Sequence, residues 1–215
     1  MIKVRSLLSS FSDALVSAVY PHKCPACRRI SNVIPCPRCE QTLVRENIRY
    51  ELPLPLVDEV RAFYTYESSA AELVKALKYR RETSLIRFMG NELFDLFLAW
   101  DPEIDTIVPV PIHRSRLSWR GFNQAEVLCE RLPAYLMGQD LVRIRRTMPQ
   151  VKLTPEERSA NLLGAFKCPN EIIGKRVLLV DDVFTTGATA NECAKALKLA
   201  GASWVGVLVF AVRRR

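Results

Sequence analysis

The sequence lacks the signatures of several common protein classes. No apolar run approaches the length of a membrane span, and no G-x-G occurs, which argues against a membrane-spanning protein and against a Rossmann dinucleotide site. The one Gly-Lys pair, Gly174 and Lys175, lacks the upstream glycine and the following hydroxyl of a P-loop. Internal repeats and low-complexity tracts are also missing. These absences favour a globular protein whose ligand site is neither a P-loop nor a Rossmann dinucleotide-binding loop.

The N-terminal segment does not read as a secretory signal. Lys3 and Arg5 precede several apolar residues, but serines at 9, 10 and 12 and Asp13 interrupt them. The apolar residues between 4 and 19 have the spacing of an amphipathic helix. Packing against the rest of the chain is the preferred interpretation, and a membrane-surface or partner helix is the alternative. We expect a cytoplasmic protein.

Composition indicates a globular chain with a basic surface. The 215 residues are 49% hydrophobic and 25% charged, enough for one well-buried domain and a small appendage. The net charge of +8 comes from 31 basic and 23 acidic residues, and arginine dominates the basic set. Arginine favours bidentate contacts with phosphates, although an arginine-biased genome would give the same excess.

Four of the seven cysteines lie in the segment CPACRRISNVIPCPRC. Two C-x-x-C pairs separated by eight residues can each present two thiolates to one tetrahedral ion, which predicts a structural zinc site, with iron as the alternative metal. Cys129, Cys168 and Cys193 are interpreted as packing residues. The predicted metal ligands are Cys24, Cys27, Cys36 and Cys39.

The most informative segment is VLLVDDVFTTGAT, residues 177–189. Four apolar residues predict a central strand of a parallel sheet, and two acidic residues then fall at its carboxyl end, where ligands bind in open α/β sheets. A ribose diol with Mg²⁺ nearby would satisfy both acids, and a hydroxyl-rich turn before a helix suits a phosphate. The segment therefore predicts a phosphoribosyl site. Its residues are Asp181, Asp182, Thr185, Thr186, Gly187, Ala188 and Thr189.

A second cluster of phosphate-capable donors follows the predicted strand IVPVP. These side chains would face the first motif across the pocket, although a solvated basic loop would have the same composition. The cluster comprises His113, Arg114, Arg116, Arg120, Asn123 and Gln124.

Three stretches together resemble a known family. VLLVDDVFTTGAT is similar to the phosphoribosyl pyrophosphate (PRPP) signature of type I phosphoribosyltransferases. With IVPVPIHRSRLSWRGFNQAE, RIRRTMPQVKLTPEERSANLLGAF and the cysteine-rich start, the chain resembles the competence protein F (ComF) family from about Pro21 onward. The resemblance implies that residues 113–120 contact pyrophosphate. It also implies a mobile cover over PRPP, formed by Arg146, Gln150, Arg158 and Asn161. The alternative is that this segment is an ordinary connector.

The resemblance also implies partners. PRPP, single-stranded DNA and a competence helicase are expected, and two hypotheses remain: a PRPP-binding protein that assists DNA handling or uptake, or an active transferase with an unidentified acceptor. Glutamine amidotransferase activity is not expected, because it needs a further ammonia-generating domain with an N-terminal cysteine. The predicted DNA contacts are Lys23, Arg28, Arg29 and Arg38 around the knuckles, helped by Arg213, Arg214 and Arg215.

The expected fold is α/β, with a doubly wound, mainly parallel sheet and a small N-terminal Cys₄ module. Residues 1–52 are assigned to the helix and knuckles and 57–215 to the phosphoribosyltransferase-like domain, joined by the semi-rigid connector ELPLPLVDE. Thr154, Pro155 and Glu157 predict a helix start with a capping box. Strands are predicted near 58–66, 104–110, 141–146, 176–181 and 204–212.

Overall fold

The computed structural model describes residues 22–50, 54–147 and 154–214, without the side chains at 155, 156, 158 and 159. The predicted N-terminal helix lies outside the described residues. The strands are β1 (Ile48–Arg49), β2 (Glu59–Thr65), β3 (Thr106–Pro109), β4 (Val142–Arg143), β5 (Phe166–Lys167), β6 (Arg176–Phe184) and β7 (Trp204–Val212).

Seven α-helices occur within the described ranges, with a π-helical turn at Ala76–Arg80 continuing the second. Two short 3₁₀ turns, Cys129–Arg131 and Ala134–Leu136, follow the fifth helix. The α-helices are α1 (Pro37–Glu40), α2 (Ser68–Lys75), α3 (Leu85–Trp100), α4 (Arg114–Arg120), α5 (Gln124–Leu128), α6 (Pro155–Leu162) and α7 (Ala188–Leu199).

Five strands form the central sheet in the order β1-β2-β7-β6-β3. The strands β2, β7, β6 and β3 pair in parallel, and only the short edge strand β1 is antiparallel. Alternate residues of β6 enter opposite cores: Val177 and Leu179 pack with α7, whereas Leu178 and Val180 pack with the helices of the other face. Helices on both faces of a mainly parallel sheet confirm the predicted fold class.

Local sequence signals located several elements well. β7 occupies residues 204–212 as predicted, and α6 begins with the predicted capping box, in which Thr154 N donates to the Glu157 carboxylate at 2.7 Å. In the connector, Leu54, Leu56 and Val57 pack against the core beneath α7. Its first part, including Pro53, lies outside the described residues.

Two strand predictions need correction. β6 continues to Phe184 because its pairing with β7 persists three residues past Asp181. The predicted strand at 141–146 shrinks to Val142–Arg143, which does not join the central sheet but pairs with β5 in a separate antiparallel sheet. Among the described residues, no helix is both long and apolar enough to span a bilayer.

Candidate functional site

The acidic pair lies where the central sheet opens. The β3–β6 pairing ends at Pro109 opposite Val180, so the two acids come directly beyond the carboxyl end of β3. Asp182 is completely buried, whereas Asp181 is partly exposed and its Oδ1 accepts a hydrogen bond from the Asp182 N–H at 2.8 Å. Burial, followed by the charge of Asp182, raises the pKa of Asp181 well above its ordinary value. Asp181 is therefore the acid that faces the opening.

Lys78 compensates the buried acid. Its Nζ lies 2.9 Å from Asp182 Oδ2, and its side chain is only 20% exposed. Burial by itself would lower the pKa of Lys78, but the two carboxylates outweigh burial and raise it. Asp182 Oδ1 has no hydrogen-bond partner among the residues described. Asp182 Oδ2 also lacks a hydrogen-bond partner there, so its contact with Lys78 is an ion pair that leaves both oxygens without a hydrogen bond.

Sequence reasoning missed Lys78. The residue lies in the π-helical turn Ala76–Arg80, which ends at Arg81 in the left-handed conformation (φ 55°). In the segment VKALKYRR, a lysine on a helical pattern looks like an ordinary solvated one, and nothing local marks the π turn. π-helical turns frequently occur at functional sites because the extra residue re-aims a side chain.

The turn after β6 leads into the N-terminus of α7. Gly187 is the N-cap residue of α7 and has φ 77°, a conformation that favours glycine. A Cβ at this position would lie 2.6 Å from Leu54 Cδ1 and 2.8 Å from the Phe184 ring, so the site also requires the absence of a side chain. Thr185, Thr186 and Thr189 remain partly exposed around it. Three threonine side chains therefore lie around the N-terminus of α7, directly after the strand that carries Asp181.

Three arginines converge near the acidic pair. Arg120 is 7% exposed, donates to Gln124 Oε1, and has an Nε without a hydrogen-bond partner among the described residues. Burial lowers the pKa of Arg120, and the charges of Asp182 and Asp181 oppose that shift. Burial, and then the positive charge of Arg116, lowers the pKa of Arg143 to about 10. Arg120 and Arg143 both feel the charge of Asp181, so they lie near the acidic pair and are suited to bind an anion there.

Arg143 was not predicted. It lies on β4, with its guanidinium 5.1 Å from the centre of the Phe166 ring on β5. Its Nη2 donates to Thr147, and its Nε is buried without a partner in the described part of the chain. The sequence prediction named Arg146 instead, which is exposed. Arg143 precedes Arg146 by three residues and lies on the short antiparallel sheet. There it lies within electrostatic range of Asp181.

The other predicted pyrophosphate residues have varied positions. His113 caps α4, since its Nδ1 accepts from Ser115 N at 3.2 Å, and Arg114 is exposed. Asn123 caps α5 and donates to Val110 O at 3.2 Å, so its role is to hold this turn. Asn161 is partly buried on α6. Gln150 and the Arg158 side chain lie outside the described residues.

The four predicted cysteines form one cluster. Their Sγ atoms all lie within 4.8 Å of one another, and the sulfurs of Cys27 and Cys36 are 3.6 Å apart. Tetrahedral zinc with bonds of about 2.3 Å requires sulfurs separated by about 3.8 Å, so the cluster has the size of a Cys₄ metal site. Cys24, Cys36 and Cys39 are buried, and Cys27 is exposed.

The knuckle backbone positions these thiols. Lys23 and Ile30 form an antiparallel bridge around the first C-x-x-C pair, and Arg28 there has φ 66°. Burial would raise the pKa of Cys24, but hydrogen bonds from the backbone of Cys27, Cys36 and Ala26 lower it to about 6. Burial raises the pKa of Cys39, in the same cluster, to about 12, so the sulfur geometry is the evidence for a metal site.

Comparison with known sequences identifies relatives. The chain is 33% identical over 195 residues to DNA utilization protein YhgH of Salmonella typhi, covering 86% of this chain and 81% of that protein. It is 29% identical over 182 residues to Competence protein ComFC of Bacillus subtilis (strain 168), covering 82% and 71%. It is 37% identical over 110 residues to Competence protein F of Haemophilus influenzae, covering 48% of each.

Solved structures are more distant, and no protein-family model matches the chain. The structure of the allosteric regulatory enzyme of purine biosynthesis aligns at 21% identity and a TM-score of 0.37, over 58% of this chain and 25% of that one. Glutamine PRPP amidotransferase from B. subtilis gives a TM-score of 0.36 with the same coverage. The fold assignment rests on the sheet order described above. From the extent of the sequence identity, the chain belongs to the family of competence protein F and DNA utilization protein YhgH.

Proposed function

We propose that this protein binds PRPP with Mg²⁺ at the carboxyl edge of its central sheet and serves the handling or uptake of single-stranded DNA. One observation carries the PRPP assignment: a partly exposed acid, Asp181, belongs to the strand that leads into the N-terminus of α7 and acts electrostatically on Arg120 and Arg143. PRPP presents a diol, one phosphate and one pyrophosphate, and this site has a complement for each.

Asp181 and Asp182 would have different roles. Asp182 is engaged by Lys78, which leaves Asp181 as the acceptor for the ribose hydroxyls. The 5-phosphate would bind the turn formed by Thr185, Thr186 and Gly187, where N–H groups and the helix dipole of α7 favour an anion.

The pyrophosphate would lie against Arg120, with Arg143 closing over it from β4. Bringing an anion there would satisfy two buried guanidinium nitrogens, Arg120 Nε and Arg143 Nε, that have no partner within the described ranges. Mg²⁺ would arrive with PRPP and neutralise the pyrophosphate. We assign His113, Arg114 and Arg146 lesser roles at the rim, since His113 caps α4 and the two arginines are exposed.

The N-terminal cluster would hold structural zinc through Cys24, Cys27, Cys36 and Cys39. The sulfur spacing and the burial of three of the four thiols support this assignment. Zinc would fix the knuckles and would supply no open position for chemistry, because four protein thiolates complete its coordination.

The DNA assignment draws on the names of the relatives, one a DNA utilization protein and two competence proteins. A second candidate function is transfer of ribose 5-phosphate from PRPP to an unidentified acceptor. The complete set of charged groups around Asp181 favours it, because leaving-group stabilisation requires mainly preorganised cations. A pyrophosphate-release screen across nucleobases and amines separates the two functions.

Thermal unfolding tests the binding claim. A ligand that binds only the native state raises Tm to an extent set by its concentration relative to Kd. Mg²⁺ with PRPP should raise Tm more than Mg²⁺ with ribose 5-phosphate or with pyrophosphate, because only the whole molecule reaches all three subsites. Equal Tm shifts for all three compounds would contradict the proposal. So would no Tm shift at all, or shifts that persist in EDTA.

A further inference from the structure

Two exposed aromatic side chains lie beside the acidic pair. Tyr79, next to Lys78 in the π-helical turn, is 51% exposed, and Trp119 on α4 is 53% exposed. Arg81 joins the two elements: its guanidinium lies 5.4 Å from the centre of the Trp119 ring, and its Nη2 donates to the Trp119 carbonyl. Large aromatic surface left in water at such a junction marks an interaction site.

The surroundings of these rings are cationic. Arg116 lies one helical turn before Trp119 on α4. Burial lowers the pKa of both Arg116 and Arg120, and the nearby phenol of Tyr79 opposes that shift. The acidic neighbour Glu82 is neutralised by Arg28, at 3.5 Å. We call Tyr79, Arg81, Arg116 and Trp119 the aromatic–arginine face.

The zinc module is attached to the same segment. Arg80 Nη2 donates to the Pro25 carbonyl in the first knuckle, and Arg28 reaches back to Glu82. Arg28 is paired with Glu82, so the exposed Arg29 is the knuckle arginine that adds positive charge beside the face. Arg214 and Arg213 are used elsewhere, since Arg214 pairs with Glu46 and Arg213 lies over Tyr66.

We infer that the aromatic–arginine face binds single-stranded nucleic acid, with bases stacked on Tyr79 and Trp119 and phosphates held by Arg81 and Arg116. This inference rests on the proposed DNA-handling function and gives it a location. Unpaired bases offer the flat apolar faces that exposed rings require, and the sugar-phosphate chain matches the alternating arginines. A duplex would present phosphates but no free base faces.

The strand would pass beside the PRPP site. Tyr79 follows Lys78 directly, and Trp119 precedes the buried Arg120, so each aromatic ring adjoins a residue that interacts electrostatically with Asp182. Strand binding at the face and PRPP binding at the acids would share the π-helical turn and α4. The two ligands are then expected to influence each other's affinity, in a reciprocal way.

Fluorescence anisotropy with a labelled oligothymidylate tests this inference. Tyr79→Ala and Trp119→Ala should each weaken binding roughly five- to a hundredfold, the range expected for one base-stacking ring. Tyr135→Ala is the matched control, because Tyr135 is 87% exposed on a different turn. Arg81→Gln should make log affinity depend less steeply on log salt, by about 0.7, because one phosphate of the single strand is then no longer neutralised.

Intrinsic fluorescence gives a second readout. Stacking on Trp119 should quench its emission, and Trp119→Phe should retain most of the affinity while losing that part of the quenching. Far-UV circular dichroism verifies that each variant is folded. Wild-type affinity in both alanine variants, equal weakening by Tyr135→Ala, or equally effective competition by duplex DNA would overturn the face while leaving DNA binding intact. No binding by the wild type at low salt would overturn the DNA-handling function as well.

Discussion

Removing the positive charge of Lys78 should destabilise the ligand-free protein more than removing any exposed lysine. In Lys78→Met, the fully buried Asp182 loses the cation that lies 2.9 Å from its Oδ2. Breaking a buried ion pair from one side costs about 3 to 5 kcal/mol, and the 20% exposure of Lys78 places the expected loss near the lower end of that range. A loss of this size is a large share of the stability of an ordinary domain.

Lys75→Met is the matched control. Lys75 is 47% exposed and pairs with Glu72 three residues earlier on α2, so its removal should cost less than about 0.5 kcal/mol. Adding Asp182→Asn to Lys78→Met should recover most of the loss, because the second change removes the uncompensated charge. Urea unfolding followed by circular dichroism resolves these differences.

The pH dependence follows from the raised pKa of Lys78. The stability that this pair supplies is fully present below the unfolded-state lysine pKa of about 10.4, and it is lost as the pH rises through the higher folded value. A free energy of unfolding in Lys78→Met equal to that in Lys75→Met, or no recovery in the double variant, would refute the assignment of a buried ion pair.

Cys24→Ser should lower the zinc content from one ion per chain and loosen the knuckles, because metal binding and local folding are coupled; elemental analysis of reduced wild-type protein that is folded and metal-free would contradict this. Arg120→Gln should weaken PRPP binding about ten- to a hundredfold by removing a charged hydrogen-bond partner, whereas Arg49→Gln, at a side chain 61% exposed, should not; calorimetry giving equal affinities would reject the pyrophosphate role. Because the pKa of Asp181 is raised, the native state keeps a proton that the unfolded chain loses. The free energy of unfolding of the ligand-free protein should therefore fall as the pH rises from the unfolded-state pKa of about 3.9 through the higher folded value. Asp181→Asn should remove this component of the urea midpoint, and an identical pH profile in the variant would argue against it.

Elements with local signals were predictable from sequence. The continuous apolar run of β7, the capping box before α6 and the paired C-x-x-C motifs each depend on residues close together in the chain. The acidic pair followed from one apolar run that had to end at the ligand edge of the sheet. In these cases the physical cause and the sequence pattern occupy the same few residues.

The long-range parts of the site were not predictable in the same way. Lys78 lies in a π-helical turn and contacts Asp182 on β6, far away in the chain, so no local pattern predicts the contact. Arg143 lies within electrostatic range of Asp181, on a two-residue strand that pairs outside the central sheet, and the role of Arg146 stays a prediction. On a short strand, a shift in register changes which side chains face the site, and periodicity cannot fix the register of so short a segment.

Calorimetric titration of PRPP in the presence of Mg²⁺ tests the central claim most directly. The wild type should bind one PRPP per chain, with binding lost in EDTA. Asp181→Asn should weaken it about ten- to a hundredfold, because an oxygen that accepts hydrogen bonds from the diol is replaced by an amide donor. Gly187→Val should do at least as much, since the backbone there has φ 77° and a Cβ would lie 2.6 Å from Leu54 Cδ1. No binding heat in the folded wild type, or equal affinities in all three proteins, would contradict the account.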